Sequence, residues 1–262
     1  MELDLDGAVV LVTGGVRGVG LGITRAFLSA GAVVVTCARR PAEIEGASFV
    51  PCDVRDADQV SQLVNGIVAE QGRLDVVVNN AGGPVPGSPL PHAGFLTRDD
   101  ADWHGIFELN LHATVRVCRA ALPVLVEAGG GVIVNVSSAV ARQPSPFNVE
   151  YSAAKAALTN LGQALSEEFA PRGVRVNTVS PGPVVTPWWT RAGGAAERFG
   201  ELVGATPQAV IAEVGPELMS ISVGRLADPQ EIADAVAYLV SPRAGSTTGA
   251  DLVVDGGLLK TA

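Results

Sequence analysis

The sequence predicts an α/β fold: a single domain built on a doubly wound parallel sheet of about seven strands, with helices on both faces. Three observations carry this expectation. Short valine-rich runs alternate with longer segments of helical periodicity. Strands strung between helices demand a parallel sheet covered on both sides, and right-handed crossovers make it doubly wound. A glycine-rich turn, Gly14 to Gly20, separates the first apolar run from the first helical pattern. No linker, repeat or low-complexity stretch divides the 262 residues.

Each element follows in order. Ala8 to Val12 is a buried strand that runs into the glycine turn. Leu21, Ile23, Ala26, Phe27 and Ala30 then keep helical spacing until Gly31 ends the helix. Val33 to Thr36 and Phe49 to Pro51 are the second and third strands. Asp56, with Gln59 three residues on, reads as a capping box that opens a helix to about Gln71. Leu74 to Val78 is the fourth strand, followed by a long Gly/Pro-rich loop, Gly82 to Gly94. One long helix is expected from about Asp99 to Val126, then a fifth strand, Gly131 to Val136. A helix reaching about Ala170 carries Tyr151 and Lys155, and Val174 to Val179 is the sixth strand. Pro183 to Val223 looks irregular and partly helical. Asp228 to Leu239 is the last helix and Asp251 to Val254 the last strand.

Composition narrows the function. Hydrophobic residues make up 47% and charged residues 17%, which marks a well-buried globular chain. A net charge of -9 argues against a nucleic-acid partner. Cys37, Cys52 and Cys118 have no metal-like spacing and read as reduced, buried thiols. His92, His104 and His112 form no ligand pattern with a nearby carboxylate, so no metal is expected. The acidic start, Met-Glu-Leu-Asp-Leu-Asp, lacks the charge and apolar run of an export signal, and no apolar run reaches the length expected to cross a bilayer. A cytoplasmic protein without a membrane partner is the expectation.

The glycine turn suits an anionic ligand. Without Cβ atoms the backbone can turn sharply and approach a diphosphate, and the following helix offers free N–H groups and a positive dipole end. Its spacing is Gly-x-x-x-Gly-x-Gly from Gly14 through Gly18 to Gly20, with Arg17 inside. A dinucleotide with a free ribose 2′-hydroxyl usually meets a carboxylate about 20 residues on. Here that stretch reads Thr36-Cys37-Ala38-Arg39-Arg40, and two guanidiniums suit a 2′-phosphate. NADP(H) is therefore expected over NAD(H), with the latter possible.

Tyr151 and Lys155 share a helix face, and Ser138 lies thirteen residues before the tyrosine. A phenol titrates near about 10, and a neighbouring cation lowers that value. The pair then suits proton exchange with a carbonyl or an alcohol. Ser137 is an adjacent candidate for the serine's place.

Together these residues resemble the short-chain dehydrogenase/reductase family across essentially the whole chain. Thr13 to Gly20, including Val19, is similar to its Thr-Gly-x-x-x-Gly-x-Gly turn. Cys52-Asp53-Val54 resembles its adenine-contacting segment, and Asn79-Asn80-Ala81-Gly82 its Asn-Asn-Ala-Gly motif. Ser180 to Thr186, with Pro181, Gly182 and Val184, resembles the segment that touches the nicotinamide. The resemblance implies a Rossmann-type fold and assigns Tyr151 as proton donor or acceptor. It implies that Lys155 supports the tyrosine and binds the nicotinamide ribose, and that Ser138 orients the substrate oxygen. Asn110 would hold a relay water through its helix backbone. It also implies a homo-oligomer, tetramer or dimer, to which Leu158, Leu161 and Leu165 could contribute, although burial within one subunit gives the same pattern.

The substrate is expected to be a small carbonyl or alcohol, reached by loops Gly83–Arg98, Ala139–Glu150 and Pro183–Val223. Pro187-Trp188-Trp189 with Phe199, Leu202, Val210, Ile211, Leu218 and Met219 suggests a lid over an apolar ketone, or equally packing against the body. Phe147 and Asn148 could face the same pocket. Reduction with NADPH leads; oxidation through the same residues and a silent NADP(H)-binding regulator are the alternatives.

Overall fold

The computed structural model describes residues 3–84 and 94–260. His92 and most of the Gly82–Gly94 loop lie outside the described residues.

Seven parallel strands form one sheet in the order β3-β2-β1-β4-β5-β6-β7. They are β1 (Val9–Thr13), β2 (Val33–Ala38), β3 (Ser48–Pro51), β4 (Val76–Asn79), β5 (Gly131–Val136), β6 (Val174–Pro181) and β7 (Asp251–Val254). Alternation along β1 builds both faces. Val9 and Leu11 join one apolar cluster and Val10 and Val12 the other. The first cluster is covered by α2 (Ala57–Gln71) and by the helix α3 (Asp100–Glu127). The second is covered by α1 (Gly18–Ser29) and α6 (Pro229–Val240). Chain order reverses between β1 and β4, which opens a crevice past their carboxyl ends.

Among the described residues the helices depart from the sequence expectations in four respects. Asp56 caps α2, accepting from the N–H groups of Asp58 and Gln59, but the box does not close. The Gln59 carbonyl instead accepts from the Asp53 N–H at 2.9 Å and its amide donates to Asp56. Closed boxes stand at Asp99/Asp102 and Asp228/Glu231. Secondly, α3 is not uniform: its α-helical halves, Asp100–Phe107 and Ala113–Glu127, flank a π-helical turn, Glu108–His112. Thirdly, α3 is by length and composition apolar enough to span a bilayer. Its apolar face, with Val117, Cys118, Ala121, Leu122 and Leu125, is instead buried against the sheet. Fourthly, His112 does meet a carboxylate, Glu108, at 3.1 Å on the surface.

The Pro183–Val223 segment is mostly helical. It contains Pro187–Thr190, α5 (Ala195–Val203), and Pro207–Ala209 continued by Val210–Val214 and Gly215–Leu218. Its apolar side chains form a third core around Trp189, Ala195, Ala196, Val210, Ile221 and Leu226. Leu158, on α4 (Val149–Phe169), is buried within the subunit, and Leu165 packs on the first core.

Candidate active site

The crevice at the β1/β4 reversal is held by a small set of polar groups. The Thr13 hydroxyl accepts from the N–H groups of Asn80 and Ala81, each at 3.1 Å. The Asn80 amide donates to the carbonyls of Thr13 and Gly14 at 3.0 and 3.1 Å. Asn80 thus fixes the glycine turn to the end of β4. Gly14 and Gly18 adopt φ of +65° and +54°, where a side chain strains the backbone. A Cβ on Gly20 would stand 2.3 Å from the Gly14 carbonyl oxygen.

The N-terminus of α1 has no side-chain cap, and its first turn carries no acidic residue. Its N–H groups remain available to an anion. Thr186 closes the other side, since a Cβ on Gly18 would meet it at 3.4 Å. Gly182 approaches Asp255 so closely that a Cβ would stand 2.7 Å from its Cα. Pro181 ends β6, paired with Val254, and Val184 is buried in the second core. The side chain of Val184 is used in packing, which leaves its backbone for any ligand contact. The cradle fits the diphosphate and nicotinamide of a dinucleotide: Gly14 to Gly20 on one side, Thr186 on the other.

Arg39 and Arg40 are exposed just beyond β2, whose end carries no carboxylate. Asp53 is not a free acceptor. Arg55, which was not among the expected site residues, grips it with contacts of 2.9 and 2.6 Å. Hydrogen bonds from Arg55 hold the Asp53 carboxyl below the usual carboxylate range, and Arg39 adds to the effect. Val54 is buried in the first core.

Tyr151 lies in the first turn of α4 and Lys155 one turn on, with the Lys155 Nζ 5.6 Å from the centre of the tyrosine ring. The Lys155 ammonium is buried and donates to the Val136 carbonyl at 2.8 Å. Ser138, just past β5, lies beside the Tyr151 side chain and acts to lower its pKa. Ser137 turns away: its hydroxyl donates to the Lys155 carbonyl at 3.1 Å and lies 2.8 Å from the Thr159 hydroxyl. The expected lowering of the phenol pKa is not what the structure shows. Burial pushes Tyr151 up to about 12, with the Ser138 side chain opposing it. Burial also lowers Lys155 to about 8. Desolvation outweighs the mutual help that spacing alone suggested.

Asn110 sits inside the π turn of α3. Its Oδ1 accepts from the Gly83 N–H at 2.7 Å, and its Nδ2 donates to the carbonyls of Gly83 and Ile106. A Cβ on Gly82 would lie 2.8 Å from Asn110 Oδ1 and 3.3 Å from Lys155 Nζ. The bare glycine lets these two polar groups converge. Buried Asn79 was grouped with this motif, but its amide donates to the Asn135 Oδ1 at 2.9 Å and ties β4 to β5.

Comparison with known proteins decides the family. A family model described as enoyl-(acyl carrier protein) reductase matches residues 14–259. The L-fucose dehydrogenase of Oryctolagus cuniculus is 37% identical over 258 residues, covering 96% of this chain and 84% of that protein. This chain belongs to the short-chain dehydrogenase/reductase family. The D-threitol dehydrogenase of Mycolicibacterium smegmatis is 35% identical, with 98% of this chain and 94% of that protein covered. The L-sorbose reductase of Gluconobacter frateurii, solved with NADPH and L-sorbose, superposes with a TM-score of 0.89 at 30% identity over the whole of both chains. As a short-chain dehydrogenase/reductase the chain is an oxidoreductase that acts on CH–OH groups with a nicotinamide dinucleotide.

Proposed function

We propose that this chain interconverts a secondary alcohol on a small polyhydroxylated compound, a sugar or sugar alcohol, with the matching carbonyl, and that it prefers NADP(H). The convergence of Ser138, Tyr151 and Lys155 beside the glycine cradle carries the reading of the chemistry. The bound dinucleotide supplies or removes the hydride. Tyr151 donates its proton to the carbonyl oxygen in reduction and accepts one in oxidation. Ser138 holds the same oxygen in line with the phenol. Lys155 stabilises the tyrosinate and is positioned to meet the nicotinamide ribose. Asn110, through the backbone of its π turn, holds the outer end of the proton path. Arg39 and Arg40 support the 2′-phosphate reading, helped by the absence of a carboxylate at the end of β2.

Two points support a polyhydroxylated substrate. The apolar side chains that suggested a greasy lid are largely consumed in the third core. The relatives named above act on fucose, threitol and sorbose. A second reading, an apolar ketone, is favoured by the exposed Phe147, Leu202 and Leu218. A panel of sugars, polyols and apolar ketones, followed at the nicotinamide absorbance with both cofactors, tests the proposal. Turnover of polyols or ketoses with NADP(H) is expected. Turnover confined to apolar ketones transfers the assignment to the second reading, and tight cofactor binding without any turnover favours a silent regulator.

A further inference from the structure

An ion pair is buried beside the catalytic tyrosine. Arg98 Nη2 lies 2.9 Å from Glu150 Oε1, and the two side chains are 6% and 3% exposed. Glu150 immediately precedes Tyr151 in the first turn of α4, a helix whose Asn148 makes no side-chain cap. Arg98 immediately precedes the capping box that starts α3, the helix that carries Asn110, and lies 3.8 Å from Asp102 within that box. A second tie runs parallel, from the Gly94 N–H to the Pro146 carbonyl at 3.1 Å. Glu150 Oε2 is buried and accepts no hydrogen bond from the described protein groups.

Energetics argue that this pair is not there for stability. Removing two charges from water costs several kcal/mol per ion, and the mutual attraction rarely returns more than that. The incomplete hydrogen bonding of the carboxylate makes the balance worse. What the pair does supply is a fixed vector between the start of α3 and the start of α4. We propose that Arg98 and Glu150 are positioning residues for Tyr151. Resting on the proposed oxidoreductase reading, the pair holds the first turn of α4 against α3, so that the phenol, Ser138 and the Asn110 turn keep one arrangement. Glu150 contributes its charge to Arg98; neither residue touches the reacting atoms.

The test uses the full chain on whichever substrate the wild type turns over. Arg98→Met and Glu150→Gln are expected to lower kcat on the order of 10- to 100-fold, the scale of an ångström-sized misplacement. KM and the NADPH Kd should stay within about twofold, because the cradle is untouched. The double variant Arg98→Met/Glu150→Leu replaces the pair by apolar volume and should recover the wild-type Tm, while kcat stays low. Recovery of kcat together with Tm, or a loss of kcat no greater than the loss of folded protein, overturns the positioning role. Absence of wild-type turnover overturns the oxidoreductase reading and this assignment with it, an outcome distinct from variants that retain full kcat.

Discussion

The Lys155 Nζ stands 5.6 Å from the centre of the Tyr151 ring while donating to the Val136 carbonyl at 2.8 Å. The ammonium is therefore anchored to the end of β5 before any ligand arrives. Its charge is costly there, and burial lowers it to about 8. That geometry has consequences for both stability and rate.

Folded Lys155 binds fewer protons than the unfolded chain between about 8 and 10.5. The unfolded state holds the extra proton, so stability rises with pH across that window. Below it the buried charge costs on the order of 3 kcal/mol. Lys155→Met should stabilise the fold at neutral pH by about 1–2 kcal/mol after the lost hydrogen bond to Val136 is subtracted, and so raise the Tm. The gain should shrink as pH climbs above 8. A lower Tm for the variant at neutral pH contradicts this account.

For rate, the proposed mechanism makes the phenol the acid of reduction and the phenolate the base of oxidation. With Tyr151 pushed up to about 12, the acid form dominates at neutral pH. Carbonyl reduction should be nearly flat at neutral pH, while alcohol oxidation should climb with pH. Profiles of kcat/KM in both directions check this. Oxidation already level at neutral pH would mean that the phenol titrates far lower than its burial implies.

Tyr151→Phe removes the proton and keeps the ring. Turnover should fall by 10²-fold or more, on the order of a full acid–base contribution, with cofactor affinity nearly unchanged. Fluorescence titration with NADPH, alongside steady-state rates, separates the two effects. Substantial residual turnover would refute the assignment.

Arg39→Asp reverses a charge at the adenosine end of the crevice. The KM for NADPH should rise on the order of 10- to 100-fold, as expected for a lost charge-assisted hydrogen bond, while the value for NADH changes far less. Arg55→Ala should also free the Asp53 carboxylate that Arg55 now holds and so further disfavour a 2′-phosphate. Equal effects of Arg39→Asp on the two cofactors would remove the argument for NADP(H).

Gly15→Ala tests the turn from below. Its new methyl would stand 2.3 Å from the Thr36 hydroxyl and 2.6 Å from that of Thr24. Overpacking at a buried turn costs about 1–3 kcal/mol. A Tm drop should accompany weaker NADPH binding, because the same displacement disturbs Gly14. A variant with unchanged Tm would show that the turn has more room than these contacts allow.

Much of this was legible in the sequence because its determinants are local. The Val9–Val12 run, the glycines at 14, 18 and 20, and the i, i+4 spacing of Tyr151 and Lys155 each announce a strand, a turn and a shared helix face. One pair that escaped depends on partners distant in the chain. Arg98 and Glu150 are 52 positions apart, and nothing near either forecasts the other. Arg55 escaped for another reason: it lies two positions from Asp53, whose carboxylate was expected to serve the adenine, so no partner for it was sought there. The π turn escaped because Glu-Leu-Asn-Leu-His fits an ordinary helix equally well. The segment 183–223 left lid and packing open for a different reason: apolar composition reports burial, and only the fold says that most of these side chains pack in a third core.

The π turn at Glu108–His112 makes α3 two helices on one axis, out of phase. An extra residue in a turn rotates everything beyond it by about 100°. The half Ala113–Glu127 is keyed to the sheet, while Asp100–Phe107 is keyed to α4. Deleting one residue within 108–112 would restore an unbroken α-helix and swing the first half about a quarter-turn. Asn110 would leave Gly83, and Arg98 would be carried away from Glu150. The irregularity thus acts as a gear offset, letting one continuous rod mesh with two differently oriented surfaces.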